Sequence, residues 1–394
     1  MLQVVDSERL NSAEDNSLRL ANAEVVTADA VFRGRVTVED GVITAVEDGG
    51  AVAGDALDCG GELLIPGLID LHTDHCERHV VPRPGVHWDP LQAAIAHDAQ
   101  VAAAGITTVF DSLVVGLRDA DQTRRDLLGQ IMAAVEKGEE LGVFRSQHLL
   151  HLRCEVTDPT LLDQVAPQMD HPLLQLVSVM EHTVGQRQFP DPEKYREVLV
   201  KLFHVPEDQV DERFKQDAEA SRTFAPTYRE AVAKMALERG LPVAAHDDET
   251  LDHVEEAARL GMTLSEFPTT LVAAEAAKAR GMITIMGAPN VVKGGSQSGN
   301  LSALDLARAG LLDVLASDYV PISLLAATLR LTGDDVGMSL PEAVKTASLN
   351  AAKAAGLDDR GAIAPGKRAD LLRVRQVGGH PVIRTVYTAG RRVA

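Results

Sequence analysis

Ile65-Pro66-Gly67-Leu68-Ile69-Asp70-Leu71-His72-Thr73-Asp74-His75 is the stretch whose reading decides the fold. Apolar positions broken by Pro-Gly read as the entry into a short buried strand, and alternation along a strand puts Asp70, His72 and Asp74 on one face. An imidazole and carboxylates side by side at a strand end suit a divalent ion, since both supply lone pairs to a borderline metal such as Zn2+. The competing reading of the triplet is a structural histidine beside a capping aspartate.

Upstream, Leu18, Leu20, Val25, Val26, Val31, Val36, Val38, Val42, Ile43 and Val46 alternate with polar positions, and Asp40-Gly41 between two such runs is a hairpin signal. Downstream the rhythm changes to short apolar runs separated by amphipathic helical stretches. Leu68 to His72, Thr107 to Ser112, Leu149 to Glu155, Leu174 to His182, Pro242 to His246, Leu264 to Phe267, Ile283 to Gly287 and Val314 to Asp318 are eight strand candidates. Strand and helix alternating in this way predict a parallel sheet, most economically closed on itself. From Gly361 to Ala394 the text is β-like again. The fold class expected is therefore α/β: a (β/α)8 TIM-type barrel over 65–355, and a small β-sandwich from 18–64 joined with 356–394, preceded by a flexible tail at 1–17. One insertion, about Gln186 to Tyr228, predicts a pair of helices over one end of the barrel, with Tyr195, Leu199, Leu202 and Phe203 as its apolar stripe.

Composition narrows the function. At 45% hydrophobic and 24% charged residues the chain reads as an ordinary globular protein, with no apolar run long enough for a bilayer. The polar, acidic N-terminus does not read as a signal peptide, which points to the cytoplasm. Three cysteines without C-x-x-C spacing suggest neither a disulfide framework nor a thiolate metal site. A net charge of -20 argues against a nucleic-acid surface, so any anionic ligand must be met by a local cluster of positive charge. No membrane partner is expected, and the sequence is compatible with a homo-oligomer.

In a barrel of this type the site is built at the carboxyl ends of the strands. Those ends carry His72 and Asp74, Asp111, then His151, Arg153 and Glu155, then His182, His246-Asp247-Asp248, Glu266 and Asp318. Seven strand ends supplying metal-type side chains to one mouth are hard to explain as packing.

Ile65-Pro66-Gly67-Leu68-Ile69-Asp70-Leu71-His72, the strand-end His182 and His246, the final Asp318 and the tail Gly361-Ala362-Ile363-Ala364-Pro365-Gly366-Lys367-Arg368-Ala369-Asp370-Leu371 resemble the metal-dependent amidohydrolase superfamily. The resemblance implies a barrel with a β-sandwich built from both chain ends. It also implies a metal centre held by His72, Asp74, Glu155, His182 and His246, with Asp318 as catalytic base. The metal expected is zinc, as one or two ions, with manganese, iron or nickel fitting the same ligands. The first strand departs from the usual His-x-His, reading His72-Thr73-Asp74. That departure, with Pro82-Arg83-Pro84-Gly85-Val86, His151-Leu152-Arg153-Cys154-Glu155, Gly185-Gln186-Arg187-Gln188-Phe189, His246-Asp247-Asp248 and Glu266-Phe267-Pro268-Thr269-Thr270, is similar to one branch of the superfamily. The implied reaction of that branch is release of pyrophosphate from the 5-triphosphate of a phosphonylated ribose.

A small phosphorylated substrate needs cations and N–H donors at the mouth. Arg83, Arg187 and Lys293 are the candidates, followed by Ser296, Ser298 and Asn300 in a Gly/Ser-rich segment. Asn300 stands where a helix would start. The alternatives are an amidohydrolase acting on a cyclic amide or an N-acetyl sugar, which would not need those three cations together, and a non-catalytic scaffold, which would be expected to lose ligands.

Overall fold

The computed structural model of the chain describes residues 17–83, 85–116, 122–201, 205–296 and 299–394, and of 122–125 the backbone alone. The expected tail, except Ser17, lies outside them, as do Leu202, Phe203 and Ser298.

Both chain ends build one eight-stranded sheet, in which β1 (Leu18–Val26), β2 (Val31–Glu39), β3 (Val42–Asp48), β4 (Leu57–Asp58) and β5 (Leu63–Pro66) meet the C-terminal strands. The second sheet holds β6 (Leu68–Thr73), β7 (Ile106–Val115), β8 (Gln147–Glu155), β9 (Leu174–Met180), β10 (Val243–His246), β11 (Leu264–Glu266), β12 (Ile283–Gly287) and β13 (Val314–Ala316). They pair parallel in chain order, so each of the eight expected runs is a barrel strand. The first sheet is completed by β14 (Leu371–Val377), β15 (His380–Thr388) and β16 (Arg391–Arg392), with β14 antiparallel to β5.

The small sheet curls until its edges approach. The Asp40-Gly41 turn lies against Ala389, Ile43 N donates to Lys367 O at 2.8 Å, and Ala369 N donates to Gly41 O at 2.8 Å. Leu20, Val25, Val36, Val38, Ile43, Leu64, Leu371 and Tyr387 fill the space enclosed. The other face, with Ile65, Leu372, Val374 and Val386, packs on the barrel's helical layer.

The chain crosses from sheet to barrel at Gly67. A Cβ there would lie 2.2 Å from Thr107 Oγ1 and 2.9 Å from Asp370 Cβ, while Gly67 N donates to Asp370 O at 2.8 Å. Only a residue without a side chain lets the two layers approach this closely.

Closure of the barrel uses two devices. At the upper end Asp318 N donates to His72 O at 2.8 Å and Asp74 N to Asp318 O at 2.9 Å. Lower down the backbone of Thr346-Ala347 fills the seam, accepting from Leu315 N and Ile69 N at 2.9 Å each. The insertion is the helix Pro192–Lys201 followed by Val210–Leu237, which runs on past the expected end. Tyr195, Leu199 and Val210 form a small core of their own there, with Phe189 and Phe214 against it. Cys59, Cys76 and Cys154 are free and buried. Among the described residues no helix is long and apolar enough to cross a membrane.

The Gly67 contact gives a direct check on this junction. Gly67→Ala is expected to destabilise the protein by about 1–3 kcal/mol, the usual cost of an overpacked methyl group. Thermal unfolding of the variant against the parent measures it.

Candidate metal centre

Strand alternation assembles the centre. Phe110, Leu149, Leu176, Ala244 and Leu264 face into the barrel as one apolar layer. Two residues further along the same strands the inward positions are Ser112, His151, Ser178, His246 and Glu266, so the layer above is polar. Ala316 is followed in the same way by Asp318.

Glu266 is the hub of that layer. Its carboxylate accepts from His72 Nδ1 at 2.7 Å, from His246 Nδ1 at 2.6 Å and from Ser178 Oγ at 2.7 Å, and nothing of it reaches solvent. An imidazole that donates through Nδ1 keeps Nε2 for another task. His72 Nε2 is buried and has no hydrogen-bond partner, and Asp247 Oδ2 is in the same condition. Phe267 packs edge-on against both rings, with centroids 5.0 Å from His72 and 5.4 Å from His246.

Two groups of donors face each other across the mouth, each with its atoms within 4.8 Å of one another: His72, Asp74 and Asp318, and His182, His246 and Asp247. Orphaned buried nitrogen and oxygen atoms beside converging imidazoles and carboxylates fit a divalent cation in donor type and number. Glu155 differs from expectation: it accepts from His182 Nδ1 at 2.8 Å and from Thr157 Oγ1 at 2.8 Å, so it stands behind His182 and holds its ring. Arg153 Nη1 donates to Asp74 Oδ1 at 2.6 Å. Asp70 does not join its neighbours, because its Oδ1 takes the backbone N–H of Ser317 at 2.8 Å.

The electrostatics follow from this crowding. Burial works against a charged His72, yet the Glu266 carboxylate outweighs it and raises the imidazole to about 10. His182 is raised to about 9, with Asp247 and Glu155 overcoming the same desolvation. Asp74 is also desolvated, but Arg153 beside it holds it well below the usual carboxylate range. Desolvation prevails at Asp318 and pushes it up, with Asp74 adding to the shift and His72 opposing it. A carboxylate moved in that direction is a better proton acceptor.

Three residues at strand ends, Asp247 (φ 58°), Phe267 (φ 55°) and Asp318 (φ 56°), adopt the left-handed backbone. Each such position costs about 1–2 kcal/mol for a residue with a Cβ. Their gathering around one mouth is the pattern of a functional site that the surrounding fold holds in strain.

Several expected residues lie elsewhere. Arg187 is buried, its Nη1 donating to Asp248 Oδ1 at 2.6 Å and its Nε 3.5 Å from Glu181, in a network that Arg229 completes. That network borders Val179, Ala245, Ala257 and Met262, the layer between barrel and helices, so Arg187 is structural and not a cation of the mouth. The next helix, Ala303–Arg308, is capped by Ser302, whose side chain accepts from Leu304 N; Asn300 is therefore not a helix start, and its side chain donates to Gln188 O at 3.3 Å. Asp111 faces outward, because β7 runs four residues beyond it and alternation sends Ser112 inward. Arg83 and Lys293 are exposed on segments that follow the first and seventh barrel strands. Ser296 is half-buried after Gly294, in the same segment as Lys293.

Glu266 as hub, Arg153 on Asp74, and Asp247 in the second donor group are features of the centre that strand-end reading noticed without assigning a task. Their signal is parity with the inward apolar residue two positions earlier. Arg78 carried no signal; its guanidinium lies 5.9 Å from the ring centre of Tyr319, next to Asp318.

A second histidine group lies outside this centre, on the far side of the first strand end. His75 and His79 on α1 (His75–Val80) meet His97 on α2 (Pro90–Ala103). Burial and the neighbouring imidazoles lower His75 to about 4 and lower His79 as well.

Comparison with known proteins gives an independent view. A model of the amidohydrolase family matches residues 63–393. The chain is 40% identical over 374 residues to the alpha-D-ribose 1-methylphosphonate 5-triphosphate diphosphatase of Escherichia coli (strain K12), covering 94% of this chain and 99% of that one. It is 27% identical to an imidazolonepropionase of Deinococcus deserti, over 90% of this chain and 91% of that one. Among solved structures, 5-methylcytosine deaminase from Klebsiella pneumoniae superimposes with a TM-score of 0.63 at 14% identity, over 96% of this chain and 97% of that one, a likeness of fold.

Arg187 separates a structural cation from a substrate contact. Arg187→Ala leaves Asp248 and Glu181 buried with a partner removed, and should cost about 3–5 kcal/mol in thermal or denaturant unfolding. A residue gripping substrate would instead raise KM in a protein of unchanged stability.

Proposed function

The chain belongs to the amidohydrolase family, and from that premise we propose that it hydrolyses alpha-D-ribose 1-methylphosphonate 5-triphosphate to the 5-phosphate and pyrophosphate. The observation that carries this reading is the kinship with the E. coli diphosphatase over nearly the whole of both chains. Reaction class and substrate both follow from that relationship. The alternatives, a cyclic amide or an N-acetyl sugar, gain no support from it.

The donors that would hold a metal are His72 and Asp74 on one side and His182 and His246 on the other, with Glu155 behind His182. Zinc is the first choice for imidazole and carboxylate without thiolate. When bound, a divalent ion acts as a Lewis acid and lowers the pKa of coordinated water from 15.7 to about 7. The charge inventory argues for such an ion. Asp74, Glu155, Asp247, Glu266 and Asp318 set five carboxylates against the guanidinium of Arg153 and the raised imidazoles of His72 and His182, a negative balance that would repel a triphosphate if left alone.

The chain's own residues then have distinct tasks. Asp318, lifted by burial and tethered by its backbone to His72, accepts the proton of the water that attacks the α-phosphorus. Glu266 fixes His72 and His246 in one tautomer. Arg153 holds Asp74 and places positive charge near the phosphoryl oxygens. Arg83 and Lys293, exposed on the segments that follow the first and seventh barrel strands, meet the phosphate groups that extend outward. Three free, buried cysteines suit a reducing compartment, in line with a cytoplasmic enzyme.

Phosphorus NMR of the reaction, with a nucleoside triphosphate as surrogate, should show pyrophosphate and a monophosphate appearing together; orthophosphate release, or no turnover of any triphosphate, would refute the assignment. Asp318→Asn should keep metal and KM while turnover falls roughly 100-fold or more, the size of a general-base contribution. Near-normal turnover would move the base to Asp247. Chelation should abolish activity and zinc should restore it, with metal content followed by elemental analysis.

A further inference from the structure

We propose that His75, His79 and His97 form a second metal site, distinct from the catalytic centre, taking Zn2+ as a clamp between α1 and α2. His75 and His79 are spaced i, i+4, so one face of α1 presents both rings, with centroids 5.0 Å apart. His97 comes from α2, its ring 5.7 Å from each of the others. One nitrogen from each ring enters a group whose atoms lie within 4.8 Å of one another. Tetrahedral zinc with bonds of 2.0–2.1 Å needs these nitrogens about 3.3 Å apart, a small closing movement of side chains.

The second observation concerns what these nitrogens do otherwise. His75 Nδ1, His79 Nε2 and His97 Nδ1 are all buried and all lack a hydrogen-bond partner. A buried imidazole nitrogen without a partner is costly, and three of them within one histidine group are explained by a shared ligand. His97 has no exposed surface, and its other nitrogen, Nε2, donates to Asp111 Oδ1 at 2.8 Å. This carboxylate fixes the tautomer that leaves Nδ1 as an unshared lone pair, the support that metal-bound histidines ordinarily have. Asp111 is itself held by His148 Nδ1 at 2.8 Å. Three imidazoles and no bound carboxylate select a borderline divalent ion over Mg2+ or Ca2+.

The position gives the clamp its purpose. α1 has six residues, too few to be stable alone, and Asp74 at its N-cap makes no side-chain capping bond. Zinc across His75, His79 and His97 fastens this turn to α2 directly beside Asp74. The site is a structural one, and its loading does not require the catalytic centre to be filled.

Metal content of the full-length protein tests it. After chelation, reloading with zinc and removal of excess, the parent should retain one zinc equivalent more than His79→Gln or His75→Asn, by elemental analysis of samples with matching circular dichroism. The difference stands whether or not the catalytic centre is loaded, so failure of the proposed reaction does not affect it. Equal zinc content in parent and variants would overturn the site. Should both variants fail to fold, zinc-edge X-ray absorption of a His182→Asn/His246→Asn protein decides. A shell of three imidazoles supports the clamp, and a shell without them, or no retained zinc, refutes it.

Discussion

One buried carboxylate, Glu266, reaches two imidazoles from opposite sides of the barrel, and the rest of the centre is arranged around that fact. Its oxygens take the Nδ1–H of His72 and of His246 at 2.7 and 2.6 Å, in a place without solvent. A carboxylate so placed is tolerable only while its partners stay, because losing one would leave charge in a medium that cannot screen it. The two histidines are thereby fixed in ring orientation before any ligand arrives. Phe267 lies edge-on against both rings.

How much of this is legible in the sequence differs between strand and loop. The eight barrel strands can be read because buried parallel strands are short apolar runs bounded by turn signals, and nothing in the chain imitates that text elsewhere. His72, Asp74, His182, His246 and Asp318 can be read because they sit at the ends of such runs. Arg187 misleads for a physical reason: a cation after a strand end faces either mouth or helical layer, and its neighbours Glu181 and Asp248, distant from each other in sequence, draw it outward. Asn300 misleads because Ser302, two residues on, is the better cap and starts the helix later. Asp111 shows that a strand end is not visible to the residue, since β7 continues to Val115. Glu266 as a hub is beyond local reading altogether, as its partners lie 194 and 20 residues away.

The left-handed backbone at Asp247, Phe267 and Asp318 belongs to the same design. Three strands end in the same unfavourable turn and deliver side chains into one space. The packing of a large barrel supplies the energy that keeps them there. Aspartate accepts this conformation with modest cost, whereas Phe267 does so against its own preference, which marks its contact with the two rings as the reason it is there.

The seam between the last and first barrel strands joins Asp318 to His72 and to Asp74, residues separated from it by most of the barrel's length, through one backbone hydrogen bond each. A chain emerging from the ribosome therefore carries every histidine of the centre long before it carries Asp318, and the two come together only when the ring shuts. A local opening at this seam would part Asp318 from His72 and Asp74 while leaving the other seven strand pairings of the barrel untouched.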